Sequence, residues 1–516
     1  MVAIMDKQTT RSKCSYDEAL DCTGFGRYNL LMLTSCSLLI LAMYLDVFGL
    51  SVALPAIACD LELTTSQQGL LSAVPLIGVM ISSYGWGLCA DTRGRRWTLL
   101  VAMPIGAILN IAVSIAPNYA ALASLKFLSA CFTSSANAAA FVLMGESSPL
   151  RHRSRFMFLM ASATMFVQFV ISICALPIFQ LTFRIPISWL ALDLRPWRLL
   201  LLVISVPGIL GILSMLLLHE SPKYLFSKSR DEEAMEILRG IYGFNTGEET
   251  DCFPVKSVTI EESPQQPERF SLRQMWNQTA PLFRPPLLKN SLKLYYILLC
   301  AFMTSTGFTM WVPTMTNAFF NGDDTSGKTF CEVASTAAQG SNSTSTDCNG
   351  VVTPSTLYAV MCYSGVAGIL TIIISFLVGI VGKRRMMFIV FTISASCGIL
   401  LLFVRIPILS IALFNTFLYV SFILGNINTY LVELNPTHLR GMATCLSVVA
   451  ARGFGFFSVQ LIATLLADHC LPMMSGYIVL VISGLIVSLF LPPDDVKKTE
   501  AVTAADCEAN TDKTRF

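Results

Sequence analysis

The sequence predicts an all-α membrane protein with twelve transmembrane helices in two pseudo-symmetric six-helix halves. Three observations carry this. The 516 residues are 54% hydrophobic and 13% charged, with a mean hydropathy of +0.63, whereas soluble proteins carry about 25% charged residues. About twelve apolar runs reach the ~20 residues that cross a bilayer. Basic residues gather in alternate connections between those runs, which fixes an orientation.

The chain begins with a polar segment, 1–29, carrying Asp6, Lys7, Arg11, Lys13, Asp17, Glu18 and Asp21. It reads as a cytosolic tail without a cleavable signal. Six spans follow within 30–218, at 30–54, 69–88, 97–115, 121–144, 156–181 and 197–218. A polar linker, 219–289, separates them from the second half. In it Ala234, Ile237, Leu238 and Ile241 recur at helical spacing behind an acidic first turn, which predicts a short amphipathic helix over 231–242. The proline- and acid-rich stretch 252–267 reads as disordered. Six further spans lie within 290–491, at 292–315, 356–381, 386–404, 408–431, 442–466 and 473–491, and a second polar tail occupies 492–516.

Arg93, Arg95 and Arg96 follow the second span, and Arg151, Arg153 and Arg155 the fourth. Lys383, Arg384 and Arg385 follow the eighth, and Arg440 the tenth. Both termini are therefore expected in the cytosol. The arginines between Arg184 and Arg198 break the pattern, because they fall on the other face. The outer loop 316–354 holds the sequon Asn342-Ser-Thr344, expected to be glycosylated, and two cysteines, Cys331 and Cys348, expected to pair.

The segment Gly87–Arg96 joins two long apolar runs in a short turn. Its order, Gly87-Leu-Cys-Ala-Asp91-Thr-Arg93-Gly94-Arg95-Arg96, resembles the loop signature of the major facilitator superfamily. Gly382-Lys-Arg-Arg385 occupies the matching place in the second half. Glu146-Ser-Ser-Pro149 with Arg151 is likewise matched by Glu433-Leu-Asn-Pro-Thr437 with Arg440. These pairs are the trace of an internal repeat, and such repeats enclose a solute pathway between two halves. The resemblance implies a cytosolic latch made of Asp91, Arg95, Arg96, Glu146 and Arg151, with Arg384, Glu433 and Arg440 in the second half.

Gly24-Phe-Gly-Arg-Tyr28, Asp46-Val-Phe48, Trp197-Arg198, Glu220-Ser-Pro-Lys223 and Trp311-Val-Pro313 narrow the resemblance. Together they are similar to the synaptic vesicle glycoprotein 2 group and its organic-ion transporter relatives. The chain departs from that pattern in the first span, where Met43 stands at the place of an earlier acid. In the fourth span Lys126 replaces an arginine, and Ala130, Phe132 and Ser134 replace glycines. The loop after the seventh span is also far shorter than that group's luminal domain.

Asp46 is the sharpest functional candidate, since an aspartate at mid-helix costs about 2.5–3.5 kcal/mol on insertion scales. It reads as a proton- or cation-coupling carboxylate, or as a structural partner of Lys126 or Tyr44. Lys126 is placed near the outer end of its span, where it would snorkel. Arg452, among small residues, needs an anion or a carboxylate. Gln168, Trp311, Asn426 and Asn428 are further candidates for lining the cavity.

The four histidines show no metal-ligand spacing, and no Walker loop is present. No enzyme, cofactor, metal or nucleic-acid partner is therefore expected. The expected partners are the bilayer, a small organic solute and protons, for a monomer in the plasma membrane or a vesicle. A transporter-like protein that only binds a partner is the alternative. The orientation has a direct check. Asn342→Gln should raise the electrophoretic mobility of protein made in cells, and Asn277→Gln should not; a glycan on Asn277 would reverse the assignment.

Overall fold

The computed structural model describes residues 14–187, 192–259, 280–285, 287–321, 327–340, 352–435 and 437–492. Among the described residues, twelve helices are long and apolar enough to cross a membrane. In the first half they are Arg27–Asp60, Thr65–Arg93, Arg95–Ser114, Tyr119–Glu146, Leu150–Ile178 and Pro196–Leu216. In the second they are Leu288–Thr309, Pro354–Val378, Lys383–Leu401, Pro407–Leu431, Leu446–Leu465 and Cys470–Ser488.

Local chemistry sets where the spans start and stop. Thr64 and Gln67 cap one another reciprocally at the start of the second span. That span runs to Arg93 and the third starts at Arg95, so the turn between them is Gly94 alone. The turn is thus far shorter than the 87–96 segment. Gly87 lies within the second helix, where nothing would meet a Cβ. Gly94 has φ +111°, and a Cβ there would lie 2.4 Å from Glu220 Oε2, so only glycine fits without strain. Gly382 takes φ +93° at the same point of the second half. The two halves therefore repeat one turn geometry.

Several spans break near their middle. The fifth is interrupted by a tight 3₁₀ turn at Thr164–Phe166, and the tenth by another at Tyr419–Ile423. The sixth consists of Pro196–Val203 and Val206–Leu216. The seventh ends at Thr309 and resumes as Val312–Asn321. Pro313 has no N–H, so the Thr309 carbonyl loses its helical donor. Irregular backbone at membrane depth persists only where neighbouring groups satisfy it.

The arginines of the basic outer loop are all engaged. Arg184 pairs with Asp193 at 2.6 Å across a small antiparallel hairpin of Ile185–Ile187 and Leu192–Leu194. Arg195 pairs with Asp60 at 2.9 Å. Arg198 is buried and donates to the carbonyls of Ser114 and Ala116 at 2.9 and 2.8 Å, at the C-terminal end of the third span. Acids and a helix terminus hold these three charges in place.

Residues 14–29 are not a free tail. Cys14–Ser15 pairs in parallel with Val258–Thr259, and the helix Tyr16–Cys22 buries Ala19 and Leu20 against the linker helix Asp231–Thr246 and its surroundings. Asp17 pairs with Arg153 at 2.6 Å, and Asp21 accepts from the backbone of Leu150 at the start of the fifth span. Within the stretch read as disordered, Phe253 and Val255 are buried in the same cluster.

The loop 316–354 is also more structured than its composition suggests, since Phe330–Gly340 is helical. Phe330 stacks on Phe319 and packs on Phe414. This helix carries a correction. Cys331 is bonded to Cys470, at the start of the last span, and not to Cys348. Cys348 and the sequon asparagines Asn277 and Asn342 lie outside the described residues. The two bonded cysteines are 139 residues apart, and closing a loop of such length is worth roughly 5 kcal/mol in the chain-entropy model. Peptide mapping without reduction should therefore recover a Cys331–Cys470 peptide. Cys470→Ser should lower the melting temperature of the purified protein, and an unchanged one would remove the bridge from the account.

Candidate functional site

The first half encloses a buried charged pair. Asp46 and Lys126 are 1% and 0% exposed, and Lys126 Nζ lies 2.6 Å from Asp46 Oδ1. Ser129 donates to the same carboxylate, and Thr133 donates to Oδ2 at 2.8 Å. Lys126 also donates to Asn110 Oδ1 at 3.2 Å, and Asn110 Nδ2 donates to Ser205 Oγ at 3.0 Å. Lys126, placed by its sequence near the outer end and free to snorkel, is instead sealed in the bundle. Ser129, Thr133, Asn110 and Ser205 were not among the sequence candidates. The signal for the first two was their spacing: Lys126, Ser129 and Thr133 recur on one helical face. Asn110 and Ser205 left no such trace.

The latch is a second cluster. Arg95 meets both carboxylate oxygens of Glu146 at 3.1 Å and Asp91 at 3.2 Å. Its guanidinium also lies over the Tyr224 ring. Ser221 donates to Glu146 Oε2 at 2.6 Å. Glu220, which sequence reasoning did not assign to the latch, accepts from the backbone N–H groups of Arg95, Arg96 and Trp97 at 2.9, 3.0 and 3.2 Å. A carboxylate on these free N–H groups also meets the positive end of the third helix. Arg96 donates to the carbonyls of Met215 and Leu216, which close the sixth span. Arg151 is exposed. These contacts tie together helix ends of the first half and do not bridge to the second.

In the second half Arg384 donates to the Leu489 carbonyl at the end of the last span. Asn426 donates to the Lys383 carbonyl at 3.5 Å, which puts it at the latch end and away from the middle of the membrane. Asn428 is exposed. The side chains of Glu433 and Arg440 lie outside the described residues.

The two halves meet along a seam. Gln168 Nε2 donates to the Thr309 carbonyl freed by Pro313, at 3.0 Å, and Ser364 donates to the Met165 carbonyl at 2.7 Å. A Cβ on Gly368 would lie 2.4 Å from the Phe166 ring, and one on Gly69 would lie 2.3 Å from Ala463 Cβ. Leu76 and Met80 lie against Gly455 and Gly453. These contacts run from mid-membrane to the face opposite the latch, so the seam is shut there. Trp311 is 1% exposed, and among the described residues its Nε1 has no hydrogen-bond partner; nor has Gln168 Oε1. At mid-seam Arg452 is 7% exposed, 5.7 Å above the Tyr44 ring, with the Tyr44 hydroxyl 3.4 Å away. Among the described residues no acidic side chain pairs with it.

Two six-span halves that repeat one turn are tied internally at one face and closed against each other at the other, the architecture of a two-halved multi-pass membrane protein. The chain belongs to the Major Facilitator Superfamily, whose family profile matches residues 36–458. It is similar to the Organic cation/carnitine transporter 7 of Arabidopsis thaliana, 27% identical over 45% of this chain and 44% of that protein. It is also similar to the human Synaptic vesicle glycoprotein 2B, 21% identical over 59% of this chain and 47% of that protein. The aligned stretches thus cover less than half the length of these curated relatives. Among solved structures, the inward open xylose transporter XylE from E. coli superposes with a TM-score of 0.64 at 15% identity, covering 92% of this chain and 100% of that one. A bacterial homolog of the human lysosomal transporter Spinster, inward-facing, gives 0.60 at 11% identity, covering 90% and 97%.

The latch geometry separates two glycines that look alike in sequence. Gly94→Ala places a side chain at positive φ against Glu220 and should cost roughly 1–3 kcal/mol. Gly87→Ala meets nothing and should be neutral or stabilising by up to about 1 kcal/mol. Thermal unfolding of the purified variants checks both, and equal melting temperatures would contradict the assigned turn.

Proposed function

We propose that this chain carries a small organic solute with an anionic group by secondary transport, driven by protons taken up at Asp46. The observation that carries the solute class is Arg452. A guanidinium that is 7% exposed at the seam, with Tyr44 as its polar contact, is costly unless a counter-charge arrives. A carboxylate or similar oxyanion on the solute is the complement, and Arg offers it a bidentate fork. With the basic loops in the cytosol, the closed outer seam corresponds to an inward-facing state.

The surroundings of Asp46 support a coupling role. Ionisable groups inside a membrane bundle are usually retained for function. Ser129 and Thr133 can turn their hydroxyls to donate to a carboxylate or to accept from a carboxylic acid, so both protonation states can be satisfied in place. One observation favours the alternative, a transporter-like protein that only binds a partner. Both Asp46 oxygens are already filled in this state.

Uptake of a panel of organic anions and cations into proteoliposomes, with and without an imposed pH gradient, separates the readings. The wild type should accumulate an anion when the gradient is imposed. Asp46→Asn should lose that accumulation and keep downhill exchange, while Arg452→Gln should lose anion uptake altogether. Removing one partner of a buried pair costs about 3–5 kcal/mol, so Asp46→Asn/Lys126→Met serves as the variant without either charge. Gradient-driven accumulation by a well-folded Asp46→Asn protein would contradict the coupling role.

A further inference from the structure

We infer that Asn110, held by Ser205, is a positioning residue for proton loading at Asp46, because it supplies an uncharged acceptor, besides the neutral acid, that keeps Lys126 bound when Asp46 is neutral. This rests on the coupling role proposed above and adds a chain of hydrogen bonds whose direction is fixed at every link. Ser205 stands at the break in the sixth span, between Pro196–Val203 and Val206–Leu216. Its hydroxyl donates its single hydrogen to the Leu201 carbonyl at 2.9 Å. Towards Asn110 it can then only accept. Asn110 must therefore turn its Nδ2 to Ser205 and its Oδ1 to Lys126, and a lysine ammonium can only donate. The reverse amide orientation would set two donors, the Asn110 NH2 and the Lys126 ammonium, against each other.

The chemistry of loading is one proton transfer. A proton from the water on the open side adds to an Asp46 oxygen, the carboxylate becomes a carboxylic acid, and the same proton leaves to water when the other side opens. No other bond changes. Loading removes the counter-charge of Lys126, which remains a cation at 0% exposure. Burying an unpaired charge is the main cost of that state. Asn110 Oδ1 is then the cation's remaining fixed acceptor, besides the neutral acid itself.

The surroundings leave little else to do this. The third span offers Asn110, the fourth Lys126, Ser129 and Thr133, and the sixth Ser205; of these only Lys126 carries an ionisable group. Among the described residues the second, fifth and seventh spans place no ion-pairing or hydrogen-bonding side chain on Asp46. Tyr44 on its own helix and Arg452 across from it face the seam, where they contact each other.

Infrared difference spectroscopy against pH on the intact protein in nanodiscs tests this without a solute. The probe is the proton, read at the stretching band of a buried protonated carboxyl group that Asp46→Asn abolishes. In Asn110→Leu the midpoint of that band should fall by up to about one pH unit, because the lost bond matters less while the Asp46 carboxylate still pairs with Lys126 than in the loaded state, where only a neutral acid remains. In Ser205→Ala, where the amide is freed to turn, it should fall by less. Should Asn110→Leu fail to fold, Ser205→Ala carries the test. An Asp46 band with one midpoint in all three proteins overturns the positioning role and leaves coupling at Asp46 standing. The absence of any Asp46-dependent band overturns both.

Discussion

The buried ion pair between Asp46 and Lys126 is the constraint around which the first half is built. Two charges taken out of water are tolerated only with close geometry and further hydrogen bonds. The 2.6 Å contact supplies the first, and Ser129, Thr133 and Asn110 supply the second. Because these groups come from the first, third and fourth spans, with Ser205 from the sixth behind them, the pair braces four helices at once. The same half is tied again at the latch, where Glu146, Glu220 and Arg95 join the ends of the second, third, fourth and sixth spans. The first half is therefore fastened at two depths, which suits a body that rocks as a unit.

The seam between the halves is built differently. Its contacts include glycines against small, aliphatic or aromatic side chains, single hydrogen bonds to carbonyls at helix breaks, and Arg452 against Tyr44. Gly69 against Ala463 and Gly368 against Phe166 allow close approach without interlocking. The Thr309 carbonyl is available to Gln168 only because Pro313 cannot donate to it. Orphaned polar atoms on Trp311 and Gln168 remain in the closed seam, and each adds a cost that opening would relieve. A strong interior and a weak seam are what alternating access requires, since the halves must part without unfolding.

Much of this was legible in the sequence. Composition and alternating basic loops gave the number of spans and the two halves, because bilayer thickness and backbone satisfaction leave few alternatives. Gly94 and Gly382 were visible as a repeat because a one-residue turn admits little besides glycine. Asp46 and Lys126 stood out because charges in apolar runs are rare, and their pairing was one of three readings the sequence left open, beside a coupling carboxylate and a partner of Tyr44. What stayed hidden are contacts between residues far apart in the chain. Cys331 finds Cys470 rather than its loop neighbour, because helix Phe330–Gly340 packs down by Phe330 onto the bundle. Arg198 reads as a topological exception until the carbonyls of Ser114 and Ala116 are seen to hold it. Glu220 belongs to a recognisable motif, yet nothing in that motif says its carboxylate will cap a helix begun 125 residues earlier.

The central claim is that one seam opens and closes while each half stays rigid. Distances between spin labels introduced at Ser66 and Asp468, two exposed positions on the face opposite the latch, test it most directly. The account predicts a short population matching the closed seam and a longer one from the open state. It also predicts that a label pair within the first half, at Ser66 and Asn118, keeps one distance throughout. A single short distance between Ser66 and Asp468 under every condition, or a matching spread within the first half, would contradict it.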